Sequence, residues 1–262
     1  MVFVAGHFGE WMQGRLGPDG PVVLVTLTCP TKGVRGLRLG DGPLSIDGTP
    51  GVLNEDQARR CLLALGAAPT GRFALAPDLP PGGGAGMSTA ALVALARLAG
   101  YAGPNVAEAC LVAEGASDPL MLPQPDQVLW ASRTASVIER FDSVQPCAVV
   151  GGFWGAPSRT DPQDLAFPDI SDLVAQWPRA SLAERARLAS LSAERCAALR
   201  GPAGDPMPTL ARKLGALGHA RAHTGPARAL IFAPGTVPAG TEQTLREIGL
   251  TGVFSFASGG MT

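Results

Sequence analysis

Residues 72–100 read RFALAPDLPPGGGAGMSTAALVALARLAG, and the reading of this stretch decides the fold. Arg72 to Ala76 is a short apolar run closed by Pro77 and Asp78, the pattern of a strand. Ser88 to Leu98 is rich in alanine and leucine, opens on two hydroxyl residues suited to capping, and stops before Gly100, the pattern of a helix. Between them lies a turn dense in glycine. Consecutive glycines permit the positive φ angles that aim several backbone N–H groups at one point, and a helix start adds free amides and the positive end of its dipole. The segment therefore reads either as an anion site that needs no lysine or as a plain turn joining strand to helix. It is not a Walker A loop, because no lysine stands near Ser88. Nor is it a dinucleotide fingerprint, because Gly84, Gly86 and Thr89 give G-x-G-x-x-T.

Outward from this core the first half reads β-rich, with strands expected at Val2 to Ala5, Pro21 to Leu27 and Gly36 to Leu39. A helix is expected from Asn54 to Leu65, with Asn54 as N-cap and Gly66 as its stop, and another over Asn105 to Glu114. Pro119 to Pro125 must be irregular. Cys147 to Trp154 reads as a buried strand, and helices follow around Ser181 to Leu199 and Pro208 to Leu217. The chain then gives strand Arg228 to Ala233, helix Thr241 to Ile248 and strand Gly252 to Ala257. The sum is an α+β pattern with a change of composition near residue 145.

Composition narrows the function. The 262 residues are 46% hydrophobic with a formal net charge of -1, enough apolar material for a core and no overall field drawing the chain to nucleic acid or an anionic membrane. The only lysines are Lys32 and Lys213, so phosphate contacts fall to arginine or to backbone amides. Five scattered cysteines, with no C-x-x-C pair, argue against a disulfide framework or a zinc knuckle and read as reduced, buried thiols. The N-terminus lacks the basic and apolar regions of a leader, and no segment approaches a bilayer span, so a cytoplasmic protein is expected.

The loop Pro80-Pro81-Gly82-Gly83-Gly84-Ala85-Gly86-Met87-Ser88-Thr89-Ala90 resembles the second motif of the GHMP small-molecule kinases, P-x-x-x-G-L-G-S-S-A-A. In that superfamily the loop wraps the phosphates of ATP, and its second serine, here Ser88, lies near the magnesium ion. Ala85, Met87 and Thr89 depart from the pattern. Near the N-terminus, Ala5-Gly6-His7-Phe8-Gly9-Glu10-Trp11-Met12-Gln13-Gly14 resembles the P-x-S-C-G-E-L-x-Q-G signature of the L-threonine kinases of cobalamin synthesis, departing at Ala5, His7 and Phe8. Ala222-His223-Thr224-Gly225-Pro226-Ala227 resembles the third motif of the superfamily, a glycine turn beside the phosphate loop, and fits it better than Ala257-Ser258-Gly259-Gly260 does. The resemblance implies the α+β GHMP kinase fold. Residues 1–145 would form a ribosomal-S5-domain-2-like N-terminal domain with a left-handed βαβ unit and the phosphate loop, and residues 146–262 a ferredoxin-like C-terminal domain.

The implied activity is transfer of the γ-phosphoryl group of ATP, with Mg2+, to L-threonine, giving O-phospho-L-threonine for cobalamin synthesis. ATP would lie on Pro80, Pro81, Gly82, Gly83, Gly84, Ala85, Gly86, Met87, Ser88 and Thr89. Glu114 and Asp118 stand where the family carries an E-P-T-D segment, with one residue more between them. That implies Ser88 and Glu114 for magnesium, and Asp118 beside Ser88 for catalysis. Read without the family, Glu114 is equally a solvated helix end and Asp118 a turn residue before Pro119. Glu10 is suited to grip an ammonium group, with Gln13, His223, Thr224 and Gly225 as further substrate contacts implied by the motifs. His7 reads as a packed or rim imidazole. His219 and His223 have metal-ligand spacing but no third ligand. Two other readings remain open: a kinase of homoserine or another small alcohol, because His7 and Phe8 fall where substrate identity could be set, and a catalytically silent nucleotide-binding homologue, because Met87 removes a hydroxyl and the acid at Asp118 is displaced by one residue from the family spacing.

Overall fold

The first strand, β1 (Val2–Arg15), is buried without interruption from Gly6 to Gly14. A strand covered on both faces belongs in the middle of a sheet, and β1 sits there in the computed structural model, which describes residues 1–103 and 105–260. It pairs antiparallel with β2 (Val22–Pro43) along most of its length and meets β8 (Gly218–Arg221) through Glu10 and Arg221. Among the described residues ten strands form one sheet. Its order is β10 (Thr251–Ser258), β7 (Cys147–Phe153), β9 (Ala227–Phe232), β8, β1, β2, β4 (Thr70–Pro77) and β3 (Ser45–Gly48). A hairpin of β5 (Val128–Ala131) and β6 (Ser136–Arg140) joins β2 through β5, and only the β3–β4 pair is parallel.

The register of β1 on β2 slips three times, between Ala5 and Gly6, between His7 and Glu10, and between Glu10 and Met12. In a regular pleat, residues three apart point to opposite faces. The bulge at Gly9, whose φ is +77°, cancels that alternation and turns His7 and Glu10 to the same side, where their side chains meet.

Helix α2 (Met87–Leu98) has the composition expected of a core helix, and nine of its residues, Met87 and Thr89 to Ala96, are buried. A helix apolar nearly all round must lie inside. It packs on β1, β2 and β4, and on α1 (Glu55–Ala64) and α3 (Asn105–Glu114). The expected cap of α1 is present: Asn54 accepts from Gln57 N–H at 2.8 Å and Gln57 returns the bond to Asn54 N–H at 3.1 Å. Beyond β1, Trp11 packs on Trp177 at 5.7 Å, and Phe8 sits edge-on to Phe153 and Phe254.

Helix α5 (Leu182–Arg200) lies on β1 and β8, and its start is a second capping box, Glu184 Oε2 accepting from Ser181 N–H at 2.8 Å. Ser181→Ala should cost about 1 kcal/mol, measured as a lower urea midpoint with an unchanged slope. Four features were not anticipated: strand β3, the β5–β6 hairpin, the short helix α4 (Ser171–Gln176), and β8. Helix α6 (Met207–Leu214) is shorter than expected because Gly215 takes φ +66° and caps it. Helix α7 (Thr241–Glu247) packs on β10 and β7. All five cysteines are buried and free. Among the described residues no helix is long and apolar enough to cross a membrane.

Candidate active site

The glycine-rich turn is held by its carbonyls. Those of Gly82, Gly83, Gly84 and Ala85 accept, in order, from the N–H groups of Ser158 (2.9 Å), Ala227 (2.9 Å), Gly9 (3.4 Å) and His7 (3.2 Å). A trans peptide carries its N–H opposite its C=O. Fixing the carbonyls of Gly83, Gly84 and Ala85 outward therefore turns the N–H groups of Gly84, Ala85 and Gly86 toward the cavity, and among the described residues none of the three has an acceptor. The unpaired amides of the first turn of α2 follow directly. The result is a concave array of donors at a helix start, the geometry suited to a phosphate chain.

The turn borders a cavity of about 510 Å³, within the range typical of small-molecule sites. Glycine is required at Gly84, whose φ is +79° and where a Cβ would overlap that of Ala222. It is required again at Gly86, the residue before α2, where a Cβ would collide with the His7 ring. The expectation that Ser88 or Thr89 caps α2 is not met: Gly86 stands at the N-cap and no side chain closes it.

Both hydroxyls are instead turned to carboxylates. Ser88 Oγ donates to Glu114 Oε1, and Gln57 Nε2 donates to the same oxygen at 2.9 Å. Burial pushes the Glu114 carboxyl up to about 7, against the opposing effect of the Ser88 hydrogen bond. Among the described residues no cationic side chain stands within ion-pairing distance of Glu114. A hydroxyl oxygen and a largely buried carboxylate lacking a cation form a hard oxygen donor set that fits Mg2+. Met87 borders the cavity but is nearly buried, its methyl group filling the space above Gly6.

Thr89 Oγ1 donates to Asp118 Oδ2 at 3.4 Å and accepts from Asp118 N–H at 3.4 Å. The same Oδ2 lies 3.2 Å from His7 Nε2, while His7 Nδ1 lies 3.2 Å from the Gly9 carbonyl and 3.3 Å from Glu10 Oε1. Burial opposes ionisation of Asp118, but the charge and hydrogen bond of His7, with the Thr89 hydrogen bond in support, outweigh it and hold the carboxyl below its ordinary range. Across the cavity the ring of His223 stacks on Phe167 at 4.1 Å, and neither ring nitrogen has a partner among the described residues. Burial, reinforced by Arg133, pushes its pKa down to about 3, so it is a neutral imidazole.

Most of the residues singled out from sequence line this one cavity: Pro80 to Thr89, Glu114, Asp118, Glu10, His223 and Thr224. Gly225 does not; it backs the loop, so close that a Cβ there would stand 2.7 Å from the Gly82 carbonyl oxygen. Gln13 is a correction. It donates to the Arg221 carbonyl at 3.0 Å and lies among Cys196 and Ser192, knitting β1 to β8 and α5 away from the cavity. Phe8, expected where substrate identity is set, belongs to the aromatic cluster under β7 and β10. Glu10 is only 2% exposed, and its nearest cationic partner is His7. Sequence reasoning missed Gln57 as a partner of Glu114 and His7 as a partner of Asp118. The departure of His7 from the serine of the resembled signature was the available signal.

No known family model matches the chain, and no curated protein is similar to it in sequence. Solved structures are similar in fold across nearly its full length. L. major mevalonate kinase in complex with R-mevalonate superposes with a TM-score of 0.66 at 14% identity, covering 98% of this chain and 96% of that one. Homoserine kinase from Cytophaga hutchinsonii gives 0.60 at 17% identity, with 98% and 94% covered. Lactococcus lactis galactokinase complexed with galactose gives 0.58 at 11% identity, with 98% and 93% covered. The chain has the mixed α/β fold of the GHMP kinases.

Proposed function

We propose that this chain is an ATP-dependent kinase of GHMP type that phosphorylates a small hydroxylated metabolite, with L-threonine as the acceptor. The observation that carries the reading is convergence: the outward-anchored loop, the Ser88–Glu114 pair and the ionised Asp118 open into one cavity. A passive glycine turn has no need of the second and third. The fold is shared with kinases of mevalonate, homoserine and galactose, each a hydroxylated small molecule. L-threonine, and with it a place in cobalamin synthesis, rests on the resemblance of Gly9 to Gly14 to the threonine-kinase signature.

Phosphoryl transfer asks a protein for alignment and charge compensation more than for covalent chemistry. The amides of Gly84 to Gly86 and the start of α2 hold the phosphates. Ser88 and Glu114 would hold Mg2+, which neutralises charge on the phosphate oxygens. Asp118, fixed by Thr89 and His7, accepts the hydroxyl proton as the acceptor oxygen bonds to the γ-phosphorus and the bond from that phosphorus to the β,γ-bridging oxygen breaks, releasing ADP.

Magnesium-dependent ADP release across hydroxylated amino acids and small alcohols tests the reading. L-threonine should give the highest kcat/KM. Turnover only with homoserine or another alcohol moves the acceptor assignment within the same fold, and nucleotide binding without turnover for any acceptor overturns the kinase. Ser88→Ala removes one oxygen from a charged site, worth about 1.5–3 kcal/mol, so kcat/KM should fall roughly ten- to a hundredfold. The urea midpoint should barely move, and unchanged turnover would remove Ser88 from the magnesium site.

A further inference from the structure

His7 stands where the resembled signature has serine, and its ring is enclosed by the parts of the site that must act together. Its backbone N–H bonds the Ala85 carbonyl, its Cδ2 edge lies on Gly86, and its two nitrogens face different acceptors. The carbonyl of Gly9, 3.2 Å from Nδ1, can only accept, so Nδ1 carries a hydrogen. Asp118 Oδ2 already accepts from Thr89, whose hydroxyl is free to donate because its other bond is accepted from the Asp118 N–H. With the Asp118 carboxyl held ionised, Oδ2 can only accept, so Nε2 at 3.2 Å carries a hydrogen as well. Both ring nitrogens protonated make the ring a cation.

We propose that His7 is a positioning residue, an imidazolium wedged between Glu10 and Asp118 that keeps the Asp118 carboxylate ionised, aims it into the cavity and ties it to the phosphate loop. The proposal rests on the reading of Asp118 as the group that accepts the hydroxyl proton. His7, Glu10 and Asp118 also lie close enough together to suggest a metal cluster, their nearest ligand atoms all within 4.8 Å. The ring occupies that space itself, giving one nitrogen to each side, and the oxygen donors suited to magnesium lie at Ser88 and Glu114.

The electrostatics agree with the geometry. Burial alone would drive His7 toward neutrality, but Glu10, Asp118 and the hydrogen bonds to Asp118 and Gly9 outweigh it and raise its pKa to about 9. Burial raises Glu10 to about 8, with the His7 charge opposing. The other charged or titratable groups facing Asp118 are His223 after β8, Arg133 after β5, and Cys110 and Glu114 on α3.

Three histidines in the chain make the test clean. His219 and His223 are pushed by burial down to about 4 and about 3, so only His7 should be cationic at pH 7.5. Imidazole NMR of the full chain should show one cationic ring at that pH, absent in His7→Gln, with a midpoint at least about one pH unit lower in Asp118→Asn. A neutral His7 at pH 7, or a midpoint indifferent to Asp118→Asn, overturns the proposal. This readout needs no turnover, so failure of the kinase reading is seen separately as absence of ADP release with every acceptor.

Where turnover is present, the ionised form of Asp118 is the active one. Removing a neighbouring cation favours its neutral form, so the acid limb of kcat in His7→Gln should move to higher pH by about one unit. His7→Lys, which restores the charge, should return the limb toward its original place, with KM for ATP held within about twofold throughout. A lower kcat on an unmoved limb would make His7 a packing residue and overturn the proposal.

Discussion

Asp118→Asn is expected to lower kcat about 10²- to 10⁴-fold, the range for loss of a positioned general base, while nucleotide affinity stays within about twofold. The substitution is nearly isosteric, and asparagine still presents an oxygen to Thr89 and His7. The glycine-rich loop does not depend on the side chain: its four carbonyl anchors come from Ser158, Ala227, Gly9 and His7 backbone groups. What disappears is the only function an amide cannot perform, acceptance of a proton from the acceptor hydroxyl. The pH dependence of stability gives a second check. Asp118 has a lowered folded-state pKa, so its contribution is present above the unfolded carboxylate value and is lost as pH falls through the folded one. The variant should therefore differ most from the parent in thermal unfolding near neutral pH and converge with it in acid. Single-turnover ADP formation separates the chemical step from release, and a variant that forms ADP at the parental rate would exclude Asp118 from proton transfer.

Gly84→Ala is expected to cost about 3 kcal/mol, from a left-handed backbone forced on alanine and from overpacking. The new Cβ would overlap that of Ala222 and stand 2.5 Å from the Thr224 carbonyl oxygen, neither of which can retreat without disturbing the turn between β8 and β9. For a chain of this size the loss corresponds to a Tm lower by roughly 6–12 °C, and displaced amides should weaken ATP binding at least about tenfold. Gly17→Ala is the control. Its φ of +82° imposes the same backbone cost, but nothing lies within 4 Å of the added methyl. The difference in Tm between the two variants isolates the steric contact, and equal losses would mean that the loop does not need its close approach to Ala222.

The loop and α2 were legible in the sequence because local chemistry specifies them: glycines that only a strained turn requires, followed by a run that can only be a buried helix. Ser88 could be linked to Glu114, and Asp118 placed nearby, through motif order. The link from His7 to Asp118 could not be read, because it joins residues 111 apart through a bulge that reverses the pleat. Strand β8 was hidden for a related reason. Its four residues include His219 and Arg221, both buried, so no apolar alternation announces it. Gln13 and Phe8 show the opposite error, since neighbours of a functional residue on a bulged strand need not share its side. Gln13 bonds to β8 and Phe8 joins the aromatic cluster, while Glu10 between them faces the cavity.

The four outward bonds of the glycine-rich loop also bear on the entropy of the proposed nucleotide binding. Glycine backbones lose the most conformational freedom when ordered, and a loose turn of this composition would incur that loss each time a nucleotide arrived. Here the loss is taken once, during folding, when two central strands and the segment carrying Ser158 fix the turn in place. The amides of Gly84 to Gly86 are then immobile yet unprotected. In hydrogen exchange they would resemble a flexible loop while moving no more than the sheet that holds them.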